Sequence, residues 1–194
     1  MLWRLIISLF LIFIFVAIRT VPVYAGEEAA RTLANLSPMA ALALCGGMFL
    51  PRRLGVGLTF GAFIMSDVLL NLYYQHPLIN AYSIILLLAF ATLFAVGHFL
   101  GNRAGPMVVL GAGVGGTLFF YLLTNTAAYF YDPAYSRGVS GWVQALTTGR
   151  PGFPPTWVFG LRSLAGNLVF ALAFYMVLRP QVEKTGWRAA PRAA

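Results

Sequence analysis

Residues 54–73 read LGVGLTFGAFIMSDVLLNLY, and Asp67 is the one charge among them. A helix of about 20 predominantly apolar residues is long enough to cross the hydrocarbon of a bilayer. An acid inside such a run is costly and requires either a partner or a task. Outward from this segment the same pattern recurs along the chain. Hydrophobic residues make up 60% of it and charged residues only 9%, which leaves too little polar surface to wrap a water-soluble core. The fold class that follows is an all-α integral membrane protein of about six transmembrane helices. Spans are predicted over residues 2–18, 38–50, 54–73, 81–100, 107–125 and 161–178.

The length of 194 residues fits one transmembrane domain over residues 1–178. Within it, residues 126–160 are expected as a long external loop and residues 179–194 as a basic cytoplasmic tail. The second span is short, and it should be tilted, extended backwards or broken where Pro38 and Gly46–Gly47 interrupt it. Residues 1–25 imitate a secretory leader, with Val23, Tyr24 and Ala25 in the position of a cleavage site. Arg19 and Pro22 lie between the apolar run and that site, so an uncleaved first helix is the expectation.

Lys and Arg total 13 against 5 Asp and Glu, a net charge of +8. The basic residues cluster at the ends of apolar runs, so they are read as topology. An inside N-terminus places Arg4, Arg52, Arg53, Arg103, Arg179, Lys184, Arg188 and Arg192 in the cytoplasm. Arg19, Arg31, Arg137, Arg150 and Arg162 then fall outside, and Arg137 and Arg150 belong to the long final loop with Arg162 at its edge, where the positive-inside rule counts least. Both termini are therefore expected to be cytoplasmic. The bilayer is the first partner implied, and the basic tail suits contact with anionic lipid. Basic residues are not interleaved with aromatics, which argues against nucleic acid.

The external segment carries Tyr129, Tyr131, Tyr135, Trp142, Phe153 and Trp157, together with four prolines. Such rings form an interfacial belt at headgroup depth, or they close as a lid over an outward-facing cavity.

Asp67 leads the residues that could carry chemistry, either as a structural hydrogen-bond acceptor or as the anchor of a solute or ion. Asn71, one turn on, shares its face. Asn35 or Ser37 can cap the second span. Thr124 and Asn125 end the fifth span; Arg162, Ser163 and Asn167 open the sixth, where Arg162 could pair with Asp67. Gly111, Gly115 and Gly116 make a small-residue face of the kind that packs against another helix. His76, His98 and Cys45 lack the spacing of a metal site, and Cys45 suits packing as a small apolar residue. Neither paired carboxylates, a Ser-His-Asp order nor a nucleotide motif is present, so enzymatic function is the weaker reading and no cofactor is implied.

Over Asn35-Leu36-Ser37-Pro38-Met39-Ala40-Ala41-Leu42-Ala43-Leu44-Cys45-Gly46-Gly47 the chain resembles an uncharacterised family of bacterial membrane proteins, known by a domain-of-unknown-function label. Ser66-Asp67, Thr124-Asn125 and Gly166-Asn167 extend the likeness, which covers roughly residues 31–178. That family looks like the substrate-binding, or S, components of energy-coupling-factor vitamin transporters. The resemblance implies a multi-pass protein of the bacterial inner membrane with an outward-facing pocket closed by loops. It places Asn35, Asp67, Asn71, Asn125 and Asn167 near that pocket, and flat vitamin rings would stack on Tyr and Trp. One departure lies in the first helix, where residues 6–18 are bulky while S components dock on their partner through small residues.

The reading is thus a small-solute, vitamin-like binding membrane protein acting as a transporter's substrate-binding component. Asp67, the amides and Arg162 would be polar anchors, with Trp142 and Trp157 closing the site. The alternative is a non-catalytic accessory subunit held among membrane-protein partner subunits.

Overall fold

The computed structural model describes residues 2–26, 36 and 38–185. Seven α-helices are present among them, with no strand. They are α1 (Leu2–Tyr24), α2 (Met39–Phe49), α3 (Arg52–Tyr73), α4 (Ala81–Leu100), α5 (Pro106–Tyr131), α6 (Val139–Leu146) and α7 (Thr156–Thr185), with a single 3-10 turn at Gly101–Arg103. Four of them are long and apolar enough to cross a membrane: α3, α4, α5 and α7 over Thr156–Arg179. The helices begin where the sequence supplies starts. Pro51 precedes α3, the Asn80 side chain accepts the Ser83 amide proton at the head of α4, and Pro106 occupies the first turn of α5.

α2 is the centre. All eleven of its residues are buried, and it touches α3, α4, α5 and α7. At 1.5 Å per residue it is about 16 Å long, roughly half the hydrocarbon thickness, so it cannot span alone. Its apolar residues recur without the period of a one-sided helix because every side meets another helix.

Close approach is what holds the centre. A Cβ placed on Gly97 of α4 would sit 2.1 Å from the Leu44 carbonyl oxygen, and one on Gly47 would sit 2.2 Å from the Phe94 carbonyl oxygen. The two backbones therefore lie in direct contact. Lipid tails are as apolar as leucine, so helices in a bilayer associate through this kind of packing and through hydrogen bonds.

Contacts fix the helix directions. Asn167 meets Ala41, Cys45 meets the Ala171 carbonyl and Phe49 meets the Tyr175 ring, so α2 and α7 run parallel and in register. Arg19 beside Ser66 and Asp67, with Tyr24 beside Tyr73, makes α1 parallel to α3. Asp67 beside Ser83 with Phe63 on Phe90, and Phe90 on Phe120 with Leu93 beside Gly116, make α3, α4 and α5 alternate. α1 consequently begins, and α7 ends, at the end of the bundle opposite α6.

Three expectations are refined. Residues 126–160 are largely helical, since α5 continues to Tyr131, α6 covers Val139–Leu146 and α7 starts at Thr156. Helix α7 likewise runs through Arg179 to Thr185, into the region read as a tail. In α5, Gly116 packs on Leu44 and Leu93, whereas Gly111 and Gly115 face open space. The small-residue face therefore contributes one glycine to the core and leaves two on the surface.

Candidate functional site

Two polar features stand out in this apolar bundle, and Tyr82 of α4, which lines the second, lies within electrostatic range of the first. The first surrounds Asp67. Its Oδ1 faces Arg19 Nη2 at 3.5 Å, and its Oδ2 accepts hydrogen bonds from Ser83 Oγ at 2.8 Å and Asn71 Nδ2 at 3.2 Å. Arg19 also donates from Nη1 to Ser66 Oγ at 2.6 Å and lies over the Phe63 ring. A buried acid with a cation and two donors is satisfied by the protein itself. The ion pair and its neighbours tie α1, α3 and α4 together.

The second feature is a cavity of about 390 Å³ between α5 and α7. Small-molecule sites typically enclose about 300–1,000 Å³. Thr117, Phe120, Tyr121, Thr124 and Asn125 of α5 form one wall; Thr156, Phe159, Gly160 and Ser163 of α7 form the facing wall. Tyr82 of α4 and Tyr135, Arg150, Phe153 and Pro154 of the connecting segments complete it. From Thr117 to Asn125 the α5 wall spans eight residue steps, about 12 Å of depth.

Local geometry builds these walls. Gly160 makes room for the Tyr121 ring, since a Cβ there would lie 2.8 Å from it. The Tyr121 hydroxyl donates to the Leu146 carbonyl at the end of α6, which fastens α6 to the α5 wall. Trp142 Nε1 donates to Thr126 Oγ1 at 3.0 Å and holds α6 on α5. Arg137 donates to the carbonyls of Tyr129 and Phe130 near the end of α5, where a cation also complements the helix dipole. Burial, reinforced by nearby Asp132 and opposed by Arg150, pushes the Tyr135 phenol above its ordinary range.

The polar atoms are arranged to receive hydrogen bonds. Thr117 and Thr124 donate to the carbonyls of Gly113 and Phe120, both at 2.8 Å. Asn125 donates to the Tyr121 carbonyl at 2.8 Å. Each hydroxyl and amide oxygen therefore keeps acceptor capacity. A cavity with aromatic walls and a few such groups can orient a flat, hydrogen-bonding molecule.

The sequence-derived site residues divide between the two features. Asn125 lines the cavity. Asp67 and Asn71 belong to the Arg19 network. Asn167 serves elsewhere: its Oδ1 accepts the Ala41 amide proton at 2.9 Å and caps α2 from across the bundle. Arg162 lies on α7 outside the cavity lining, and the ion pair observed at Asp67 is with Arg19. Trp142 and Trp157 are also outside the lining and are 39% and 52% exposed, as belt residues are. Asn35 and Ser37 lie outside the described residues.

Among the lining residues, Thr117, Tyr121 and Thr156 escaped the sequence reading. A signal was available. Thr117, Tyr121, Thr124 and Asn125 recur at helical spacing, as do Thr156, Gly160 and Ser163, and each set forms a polar stripe on an apolar helix.

The whole described chain matches one family, the Family of unknown function (DUF6580), over residues 1–185. The chain belongs to this family. No curated protein and no solved structure matches it.

A second hollow, of about 580 Å³, lies between α1 and α7. Ala17, Ile18, Val21, Pro22, Leu36, Ala165, Gly166, Val169 and Phe170 line it. Such walls offer a polar solute no hydrogen bonds, whereas the walls of the smaller cavity do.

Proposed function

We propose that this DUF6580 member binds a small, flat, vitamin-like solute and acts as the substrate-binding component of a transporter in the bacterial inner membrane. The observation that carries the reading is the polar, ring-walled cavity between α5 and α7. With both termini cytoplasmic, as the basic residues favour, that cavity opens to the outer side. The resemblance to S components adds support, since those proteins also hold ligands under outer loops. The reading assigns recognition and passage of a solute, not catalysis. It also moves the site away from Asp67, whose hydrogen bonds a solute would have to replace at considerable cost.

The test is purification of the full chain in nanodiscs from its native membrane, with mass spectrometry of the small molecules retained. A stoichiometric compound present in wild type and absent from Thr117→Phe, which fills the cavity floor, supports the proposal. Stable protein partners without a compound contradict it.

One observation favours the alternative, an accessory subunit in a larger membrane complex. Gly57 and Gly61 on α3, like Gly111 and Gly115 on α5, face open space, and such pairs let another helix approach closely.

A further inference from the structure

The mouth of the cavity holds one charged side chain among the described residues, Arg150, and no acid lines the walls. Arg150 Nη1 stands 3.7 Å from Asp132 Oδ2, beyond hydrogen-bond distance. Its guanidinium rests near the Phe153 ring, 5.9 Å from the centroid, and its side chain is 56% exposed. Asp132 is the fixed member of the pair, because its Oδ1 accepts the Ala134 amide proton at 2.9 Å. Below this mouth the cavity is ring-walled and uncharged.

Resting on the solute-binding reading above, we propose that the solute carries a carboxylate or similar anionic group on a flat ring, and that Arg150 turns from Asp132 to receive it. An exposed ion pair contributes little, so exchanging one carboxylate for another is cheap. The planar guanidinium can meet a ligand carboxylate through two parallel hydrogen bonds, a stronger arrangement than the present contact. The ring then lies among Phe120, Tyr121 and Phe159, and Thr117 and Thr124 accept its hydrogen bonds. A cationic solute finds no acid on the cavity walls to receive it.

The experiment is equilibrium dialysis of the full chain in nanodiscs with three probes of one shape: naphthoate, naphthamide and naphthylmethylammonium. The expected order is naphthoate roughly tenfold tighter than the amide, as a charge-assisted pair allows, with the ammonium weakest. Arg150→Gln should abolish the preference of naphthoate over the amide, and Arg150→Lys, which keeps the charge but not the two parallel hydrogen bonds, should retain only part of it. Asp132→Asn should tighten naphthoate about threefold, since a competing anion is removed. Equal binding of the probes by wild type, or an unchanged preference in Arg150→Gln, overturns the anionic inference and leaves the cavity reading standing. Binding of no probe overturns both.

Discussion

Arg19 and Asp67, on α1 and α3, form a 3.5 Å ion pair whose side chains are only 14% and 12% exposed. The pair joins the first helix to the bundle, and Ser83 and Asn71 complete the acid's hydrogen bonds. Removing one member of a buried pair leaves an uncompensated charge, whereas removing both does not. Asp67→Asn is therefore expected to destabilise the protein by about 3 kcal/mol, read from denaturant titration in mixed micelles. The double variant Arg19→Gln/Asp67→Asn should recover at least half of that loss. A double variant as unstable as the sum of the singles would refute the pairing.

Asn167, only 4% exposed, supplies the α2 N-terminus with an acceptor inside the apolar bundle. Asn167→Leu keeps the volume and removes the cap, and the loss expected is about 1–2 kcal/mol. Stability measured by the same titration should fall accordingly. An unchanged midpoint would mean that another group satisfies the Ala41 amide.

The glycines predict opposite signs. Gly97→Ala pushes a methyl into the Leu44 carbonyl, so α2 and α4 must separate and folded yield should collapse. Gly61→Ala meets open space and should be neutral or stabilising by up to about 1 kcal/mol, as expected for exposed helix positions. Folded yield after detergent extraction distinguishes the two, and equal tolerance at both sites would contradict the backbone contact.

Thr59 Oγ1 is buried and, among the described residues, has no hydrogen-bond partner. Replacing an unsatisfied hydroxyl by a methyl of the same shape removes a desolvation cost. Thr59→Val should raise the unfolding midpoint, by about 1 kcal/mol in stability. A lower midpoint would reveal a partner for the hydroxyl.

Much of this architecture is written locally. The long apolar runs announce α3, α4, α5 and α7, and the thirteen-residue run over 38–50 hints that α2 is too short to span. What escapes local reading is pairing across the bundle. Arg19 reads as a topological charge at a helix end, yet it is the partner of Asp67, because the parallel packing of α1 on α3 brings them level. Asn167 reads as a solute anchor, yet it caps α2 through Ala41, 126 residues earlier. Asn125 does line the cavity, and its helical neighbours Thr117 and Tyr121 extend the same stripe. The tryptophans point elsewhere because an indole at headgroup depth is stable facing lipid. The most conspicuous acid marks the structural network, and the quieter hydroxyls mark the cavity.

The central claim is that the α5–α7 cavity is wet and open at the α6 end, while the Asp67 network is closed by the protein. Thiol accessibility addresses this directly. In a Cys45→Ala background, Thr117→Cys and, as a lipid-facing control, Gly115→Cys are treated in intact cells with a small anionic methanethiosulfonate that does not cross membranes. The account predicts that Thr117→Cys is modified from outside and Gly115→Cys is not. Protection of Thr117→Cys from outside, or its modification only from the cytoplasmic side of inverted vesicles, would contradict it.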